Sequence, residues 1–590
     1  MAKENNKDQA CGCSHLHAET YSPRNREGRR DFFKKASALA IGAMTSPLLA
    51  NAMAGSHQQL LAITQSAAVK KGKAKMATIL HTADIHAQLY THDEFFVENG
   101  QVVYKKRGGF AVLKTMLNSI RSKNQENTIL IDGGDCFQGG GLAAVTEGRG
   151  IVPLMNDIGY DLVLPGNWEV VYGKEMMLKD LGAYHAQKIC ANMFHQTDDA
   201  LNGTLIFKPY WTKVVAGIKI GFIGYTDHAV PKRQPPAFSK GIRYTNPIKD
   251  VAKYVTLLKE NEQCAMIFMV THLGLAQQVN LANQPAVQGV DHILGADTHE
   301  RVRHPINGKY ATVSEPGSFG SFVSRFDMVV EDGKVKEKIY QLLDVDPEKY
   351  HPDTQMARLI EQERAPFKAQ LDRVIGKSKF PLVRYYVMET PMDNMITDAL
   401  MWKFKPDIAI SNGFRFCPPL IPDKKTGLAI ITMDYLWSMM PINSEIKSGI
   451  VPGKQLWDWL EIELHNVFAK NPAERFGGWV VRMQGMRLNF TMNKELGNRI
   501  NWVTVDNQPL DLVKTYKVLT CEREGDPEDV LCRLGNVQKP TLAKATLHET
   551  MIEYLQVHSP VSPRIDGRVT ATDAPPTLLS QLEGYGYDFF

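Results

Sequence analysis

Short apolar runs, each closed by a polar tip, recur along the first half of the chain. They read ILHTADIH, LIDGGD, LVLPGNWE, IFMVTHLG and ILGADTH, and are rich in Ile, Leu and Val. Runs of that length and composition are the pattern of strands buried on both faces. Between them, helical spacing is present over Lys114–Arg121, Ile151–Gly159, Glu175–Gly182 and Pro247–Glu260. Lys219–Gly224, Ala311–Val313 and Val323–Val330 read as further strands at mixed or antiparallel sheet edges. The alternation predicts a layered α/β domain over residues 76–345. Pro347 and Pro352 interrupt the pattern, and Leu359, Ile360, Phe367 and Leu371 then predict a connecting helix within 346–372. A smaller α/β unit is expected over 373–559, with a strand at Asp407–Ile410 and a helix at Lys454–Val467. The tail, 560–590, is rich in Pro and Gly and ends in aromatics, which leaves docking and disorder both open.

The polar tips carry the chemistry. They are Asp84 and His86, Asp135, Asn167, His272, and Asp297 with His299. Parallel strands line such tips along one sheet edge, where α/β proteins bind ligands. Any one of them is an ordinary turn residue; five segments in register point to a two-cation hydrolase. Asp84-Ile85-His86 is read as alternating along a strand end, which turns both side chains into one cavity. Asp135 follows two glycines that let backbone approach closely, a placement suited to bridging two cations. Asn167 offers a neutral oxygen, and His272 and His299 offer imidazoles. Two divalent cations there would acidify water and stabilise charge on a phosphoryl or sulfonyl oxygen.

Composition narrows the class. The chain has 590 residues, 44% hydrophobic and 22% charged, with a net charge of +4. That describes a globular protein of two domains plus a leader, without the basic, aromatic-interleaved stretches of nucleic-acid binders. Gly28-Arg29-Arg30-Asp31-Phe32-Phe33, an apolar run from Ala36 to Leu49 and small residues around Ala52 resemble a twin-arginine export signal over 1–54. The apolar run is too short to span a bilayer. Residues 55–75 read as a linker, and periplasmic localisation without stable membrane insertion follows. Cys11, Cys13, His15 and His17 could hold a metal but would leave with the signal. The other cysteines, at 136, 190, 264, 417, 521 and 532, are too irregular for a disulfide framework, with a Cys521–Cys532 pair left open.

These segments resemble the calcineurin-like metallophosphoesterases, and the two-domain layout resembles the 5′-nucleotidase superfamily, from roughly Met76 to Val557. In the second domain the resemblance rests on Glu389–Asn394 leading into Ile396–Leu400, on Asn412-Gly413-Phe414-Arg415, on Ile431–Leu436 with Pro441, and on Gly453–Leu456 and Gln484–Met486. It implies an αββα sandwich followed by a 5′-nucleotidase-type C-terminal domain. It also implies one cation held by Asp84, His86, Asp135 and His299, and a second by Asp135, Asn167, His272 and the residue at 297. Two positions depart from the nucleotidase pattern. Trp168 stands where Gly-Asn-His-Glu has a histidine that assists phosphate transfer, and Asp297 replaces the first histidine of Gly-His-x-His. Asp297, if it ligates, favours harder ions such as Mn²⁺ or Fe²⁺ over Zn²⁺; if it points away, the second site is weakened.

Trp168-Glu169-Val170-Val171-Tyr172-Gly173 is similar to the SoxB-type thiosulfohydrolases. That branch implies hydrolysis of a thiosulfonate on a cysteine of a sulfur carrier protein, with release of sulfate. A persulfide leaving group needs little proton donation, which gives the missing histidine a physical reason. The nucleotidase turn that carries a base-stacking aromatic corresponds to Gly525-Asp526-Pro527-Glu528, which has none. Arg415 is a candidate bidentate clamp for an anionic substrate, with Asn412 and Trp168 beside it; a structural salt bridge is the alternative use of Arg415. A phosphoesterase acting on nucleotides or another small anionic ester, and a non-catalytic anion-binding homologue, remain the competing readings.

Overall fold

The computed structural model describes residues 74–99, 101–411, 417–476 and 479–574. The expected signal, the Cys/His cluster, Asn412 and Arg415 lie outside the described residues. The first domain packs two six-stranded sheets face to face. The elements of the first sheet and its neighbours are β1 (Ala74–Thr82), α1 (Phe110–Arg121), β2 (Thr128–Asp132), β3 (Leu162–Val163) and β4 (Gln187–Lys188). The second sheet uses β5 (Tyr210–Val215) and β6 (Ile218–Thr226). After the short helix α2 (Val230–Arg233) it continues through β7 (Met266–His272), then α3 (Leu275–Ala282), β8 (His292–Leu294), β9 (Ile306–Asn307) and β10 (Thr312–Ser314). Long antiparallel strands β11 (Phe322–Glu331) and β12 (Lys334–Asp344) return to the first sheet, in the order β12-β11-β1-β2-β3-β4. The second runs β9-β10-β8-β7-β6-β5.

Alternation along each strand decides which face meets which layer. Phe222, Phe268 and Val270 turn toward the first sheet, and the Phe268 ring meets Phe326 edge-on at 5.2 Å. Their neighbours Ile223, Ile267 and Met269 turn outward onto Val255, Leu275 and Val279 of the covering helices. On the other side, Val112, Leu113, Met116 and Leu117 of α1 join the core that β1 and β2 share. Helix, sheet, sheet, helix is the αββα sandwich expected from the resemblance.

The connecting segment forms α4 (Thr354–Arg364), capped by the Asp353 carboxylate on the Met356 amide, and continues in two short turns to Leu371. The second domain contains α5 (Pro391–Phe404), β13 (Ile408–Ser411), β14 (Glu445–Pro452), α6 (Gly453–Phe468), β15 (Arg482–Gln484), β16 (Met486–Phe490), β17 (Ile500–Val505), β18 (Gln508–Pro509), β19 (Thr515–Cys521), β20 (Gln538–Thr546) and α7 (Leu547–His558). One sheet runs β15-β13-β19-β14-β20. The other adds β21 (Val569–Ala571) in parallel beside β16, so the start of the Pro- and Gly-rich tail is woven into a sheet. Polar contacts, buried or partly buried, tie the two domains together. Glu94 accepts from Arg301 (2.5 Å) and from Tyr385 of the second domain (2.7 Å), and the Gly141 amide donates to Asp434 (2.8 Å). Among the described residues no helix is long and apolar enough to cross a membrane. Cys521 and Cys532 are both free thiols.

Candidate metal centre

The seven predicted residues converge in one largely buried cluster at the strand ends, but not through strand alternation. β1 stops at Thr82, and Asp84 and His86 follow it in a loop at φ 53° and 49°. Asp135, Asp297 and His299 are also left-handed, at 64°, 92° and 63°. Left-handed backbone is uncommon outside glycine, though Asp and His tolerate it better than most, and it persists only where the surroundings impose it. Here the loops lock one another. The Asp84 amide donates to the Gly134 carbonyl and the His86 amide to that of Asp135, both at 2.9 Å. Glu169 accepts from the amides of Asp135 (2.9 Å), Cys136 (2.7 Å) and Gly166 (2.6 Å), joining the Asp135 loop to the Asn167 loop. Asn167 lies beyond the two-residue strand β3, His272 is the last residue of β7, and Asp297 and His299 lie beyond β8.

The donor atoms fall into two groups that share Asp84. Asp84, His86 and His299 form one, and Asp84, Asp135 and His272 the other, with the ligand atoms of each group within 4.8 Å of one another. His299 Nε2 is 3.5 Å from Asp84 Oδ1; His272 Nε2 is 3.1 Å from Asp135 Oδ2 and 3.7 Å from Asp84 Oδ1. His86 Nε2 lies 3.8 Å from Asp135 Oδ2. The imidazoles are oriented from behind: His86 Nδ1 faces the Gln138 carbonyl (3.1 Å) and side-chain oxygen (3.0 Å), and His272 Nδ1 faces the Gly133 carbonyl (2.8 Å). Carbonyl partners favour a proton on Nδ1 and so aim each Nε2 at the buried carboxylates. The Nε2 atoms of His86 and His299 stand 3.1 Å apart. Imidazole nitrogens at that separation, among buried carboxylates, can ligate one cation together.

The electrostatics agree. Burial raises the Asp84 carboxyl well above its ordinary range, against the pull of His272. Burial also raises Asp297, opposed by Arg233 and His272. Burial would raise Asp135 as well, but His272 and His86 overcome it and hold that carboxyl low. Burial would lower His272, yet Asp135 and Asp84 pull it well above the ordinary imidazole value. Burial that penalises the charged forms of Asp84 and Asp297 marks a site short of positive charge, which divalent cations would supply. The residues present therefore fit a dinuclear centre.

Asp297 faces the cavity. Its Oδ1 accepts from Asn167 Nδ2 at 2.6 Å and lies 3.9 Å from His272 Nε2, while its Oδ2 accepts from Arg233 at 3.0 Å. Asn167 Oδ1 accepts from Gln234 at 3.0 Å and keeps a second lone pair. Trp168 is buried, donates its amide to Asp135 Oδ1 at 2.8 Å, and packs with Met392 and Met440 of the second domain. Sequence reasoning missed Arg233 and Gln234. They sit in a basic, proline-flanked turn, VPKRQPP, which reads as solvated loop and carries no signal of its contacts.

Residues 77–301 match the calcineurin-like phosphoesterase family, and residues 374–522 match the 5′-nucleotidase C-terminal domain. The chain carries a calcineurin-like phosphoesterase domain followed by a 5′-nucleotidase C-terminal domain. Members bind a dinuclear metal site, and the two donor groups are where this phosphoesterase would hold it. It is a metal-dependent hydrolase. The Vibrio parahaemolyticus 5′-nucleotidase is 23% identical over 82% of this chain and 90% of its own length. The trifunctional nucleotide phosphoesterase YfkN of Bacillus subtilis is 26% identical over 84% of this chain, which spans only 35% of YfkN. Among solved structures, the sulfate thiohydrolase SoxB of Thermus thermophilus superposes with a TM-score of 0.75 at 20% identity, covering 85% of this chain and 98% of that one. A 5′-nucleotidase precursor from the same species gives 0.71 at 23% identity, covering 85% and 100%. At these identities the superpositions show a shared fold.

Proposed function

We propose that this phosphoesterase-family hydrolase is a thiosulfohydrolase that releases sulfate from a cysteine-S-thiosulfonate on a carrier protein. The observation that carries the reading is Trp168, a buried indole beside Asn167 and Asp135 at the position where a proton-donating histidine would serve an alkoxide leaving group. The oxygen of a water molecule bonds to the sulfonate sulfur, the S–S bond breaks, and its electron pair leaves on the carrier persulfide. Sulfate and two protons complete the balance. A persulfide is a weak base, so this bond breaks without a proton donor. When bound, two divalent cations, Mn²⁺ in this proposal or Fe²⁺ or Zn²⁺, supply Lewis acidity to water and to the sulfonate oxygens.

The chain's own residues then have distinct tasks. Asp84, His86 and His299 would hold one cation and His272, Asn167 and Asp297 the other; Asp84, common to both donor groups, and Asp135, within 3.8 Å of His86 and 3.1 Å of His272, would serve both. Asn412 and Arg415 are assigned to the substrate anion. The Gly525–Glu528 turn supports a substrate other than a nucleotide. It carries no aromatic, and a Cβ at Gly525 would lie 2.8 Å from the Ala237 amide, so the turn is pressed against the first domain. Residues 1–54 are proposed to direct periplasmic export by the twin-arginine route.

A 5′-nucleotidase activity is the second reading, favoured by the nucleotidase relatives spanning both domains. Purified protein reconstituted with Mn²⁺ and offered AMP and a thiosulfonate-loaded carrier in parallel separates the two. Sulfate release with little AMP turnover is expected; robust AMP turnover without sulfate overturns the proposal.

A further inference from the structure

The two least secure donors of the centre, Asn167 and Asp297, depend on residues that the second domain holds. Asn167 Oδ1 is tethered by Gln234, and Asp297 Oδ2 by Arg233, which also pairs with buried Asp227 at 3.3 Å. Arg233 ends α2 and Gln234 follows it, a four-residue helix too short to fix its own terminus. Its exit is fixed from across the domain boundary. A single guanidinium nitrogen of Arg523, just past β19, donates to the Lys232 carbonyl (3.0 Å) and the Gln234 carbonyl (2.6 Å). The Ala237 amide returns a hydrogen bond to the Glu524 carbonyl (3.2 Å). Phe476, also of the second domain, lays its ring 5.2 Å from the Arg233 guanidinium carbon, and Arg533 lies 5.3 Å from the same ring.

We infer that Arg523 and Phe476 are positioning residues that complete the second cation site from the opposite domain, by fixing Gln234 and Arg233, which in turn hold Asn167 and Asp297. The inference rests on the dinuclear reading above. It makes the two sites unequal. Among the described residues, the hydrogen bonds that brace Asp84 and His86 come from the first domain, whereas Asn167 and Asp297 also depend on contacts from the second. Arg523 suits the task because its planar fork presents paired hydrogens to two carbonyls in a fixed geometry that an ammonium does not reproduce.

The test is a Mn²⁺ titration of metal-stripped, full-length protein, following bound and free ion by electron paramagnetic resonance. Wild type is expected to take up two Mn²⁺ per chain. Arg523→Ala should leave the first affinity unchanged and weaken the second by roughly 10-fold or more, the usual cost of losing an outer support of a metal ligand. Arg523→Lys should fall between. Phe476→Leu, which keeps apolar bulk, serves if Arg523→Ala does not fold, and should weaken the second ion selectively. Gln234→Ala should weaken the second ion through Asn167 alone, and the double variant with Arg523→Ala should lose less than the sum of the two, since Arg523 acts in part through Gln234. Equal loss at both sites, no loss at either, or fully additive losses would overturn the inference. Wild type that binds one ion would overturn the dinuclear reading itself, and this inference with it.

Discussion

Trp168 sets the chemistry that the centre can support. An indole N–H is not an acid at any working pH, so bond cleavage beside it depends on how readily the leaving group departs. Trp168→His should therefore raise hydrolysis of AMP, whose leaving alkoxide needs a proton, by about 10-fold or more. It should raise hydrolysis of p-nitrophenyl phosphate much less, because that phenolate leaves unassisted. Comparing kcat/KM for the two esters in wild type and variant checks this; equal gains would mean the histidine acts by relieving bulk and not by giving a proton. At this scale all seven candidate donors were legible as polar tips of apolar runs. Arg233 and Gln234 were not, because their partners are 64 and 67 residues away and no local pattern encodes them.

Loops do the converging. Five of the seven donors have positive φ, and that geometry survives because glycines let the loops press together. A Cβ on Gly166 would lie 2.2 Å from Asp135 Oδ1 and 2.6 Å from the Asp135 amide, in a backbone where φ itself is ordinary. Gly166→Ala is thus a test of space alone. It should displace Asp135, lower stability by about 3 kcal/mol, within the range of core overpacking, and abolish Mn²⁺ retention. Gly182→Ala, at a helix position where nothing lies within 4 Å, should leave both unchanged or slightly improved. Melting temperature and bound-metal analysis read the contrast. Most elements matched their sequence patterns to within a few residues, as at α6, expected over Lys454–Val467 and found over Gly453–Phe468. The Asp84–His86 segment departed because a two-residue alternation looks the same whether the backbone stays extended or turns left-handed.

Across the whole molecule, burial of ionisable groups sets the response to acid. His548 lies within the second domain, donates Nε2–H to the Met440 carbonyl at 2.7 Å and packs against Trp437 at 4.3 Å. Burial pushes its pKa down to about 4, and His292 in the first domain is pushed to about 3 in the same way. The unfolded chain protonates these side chains near 6.5 while the folded one resists, so stability is full above about pH 6.5 and declines as pH falls toward 4. For His548 alone the loss is on the order of 3 kcal/mol. His548→Gln, which keeps a donor for Met440, should flatten that share of the decline. Urea unfolding at pH 7, 5.5 and 4.5 measures it, and an unchanged slope in the variant would rule His548 out as a source of acid sensitivity.

Sequence alone determined a layered α/β first domain and a smaller α/β second unit, since residue periodicity states which faces are apolar and how long each element runs; the αββα order came with the family resemblance. It also determined the identity and order of the candidate donors, because strand ends are marked by where apolar runs stop. Tertiary structure decided the rest: that the loops turn left-handed, that Asp297 faces inward, and that a turn near Arg233 is gripped by Arg523, nearly 300 residues away. Those outcomes depend on backbone meeting backbone across the fold, where distance in space has no counterpart in distance along the chain.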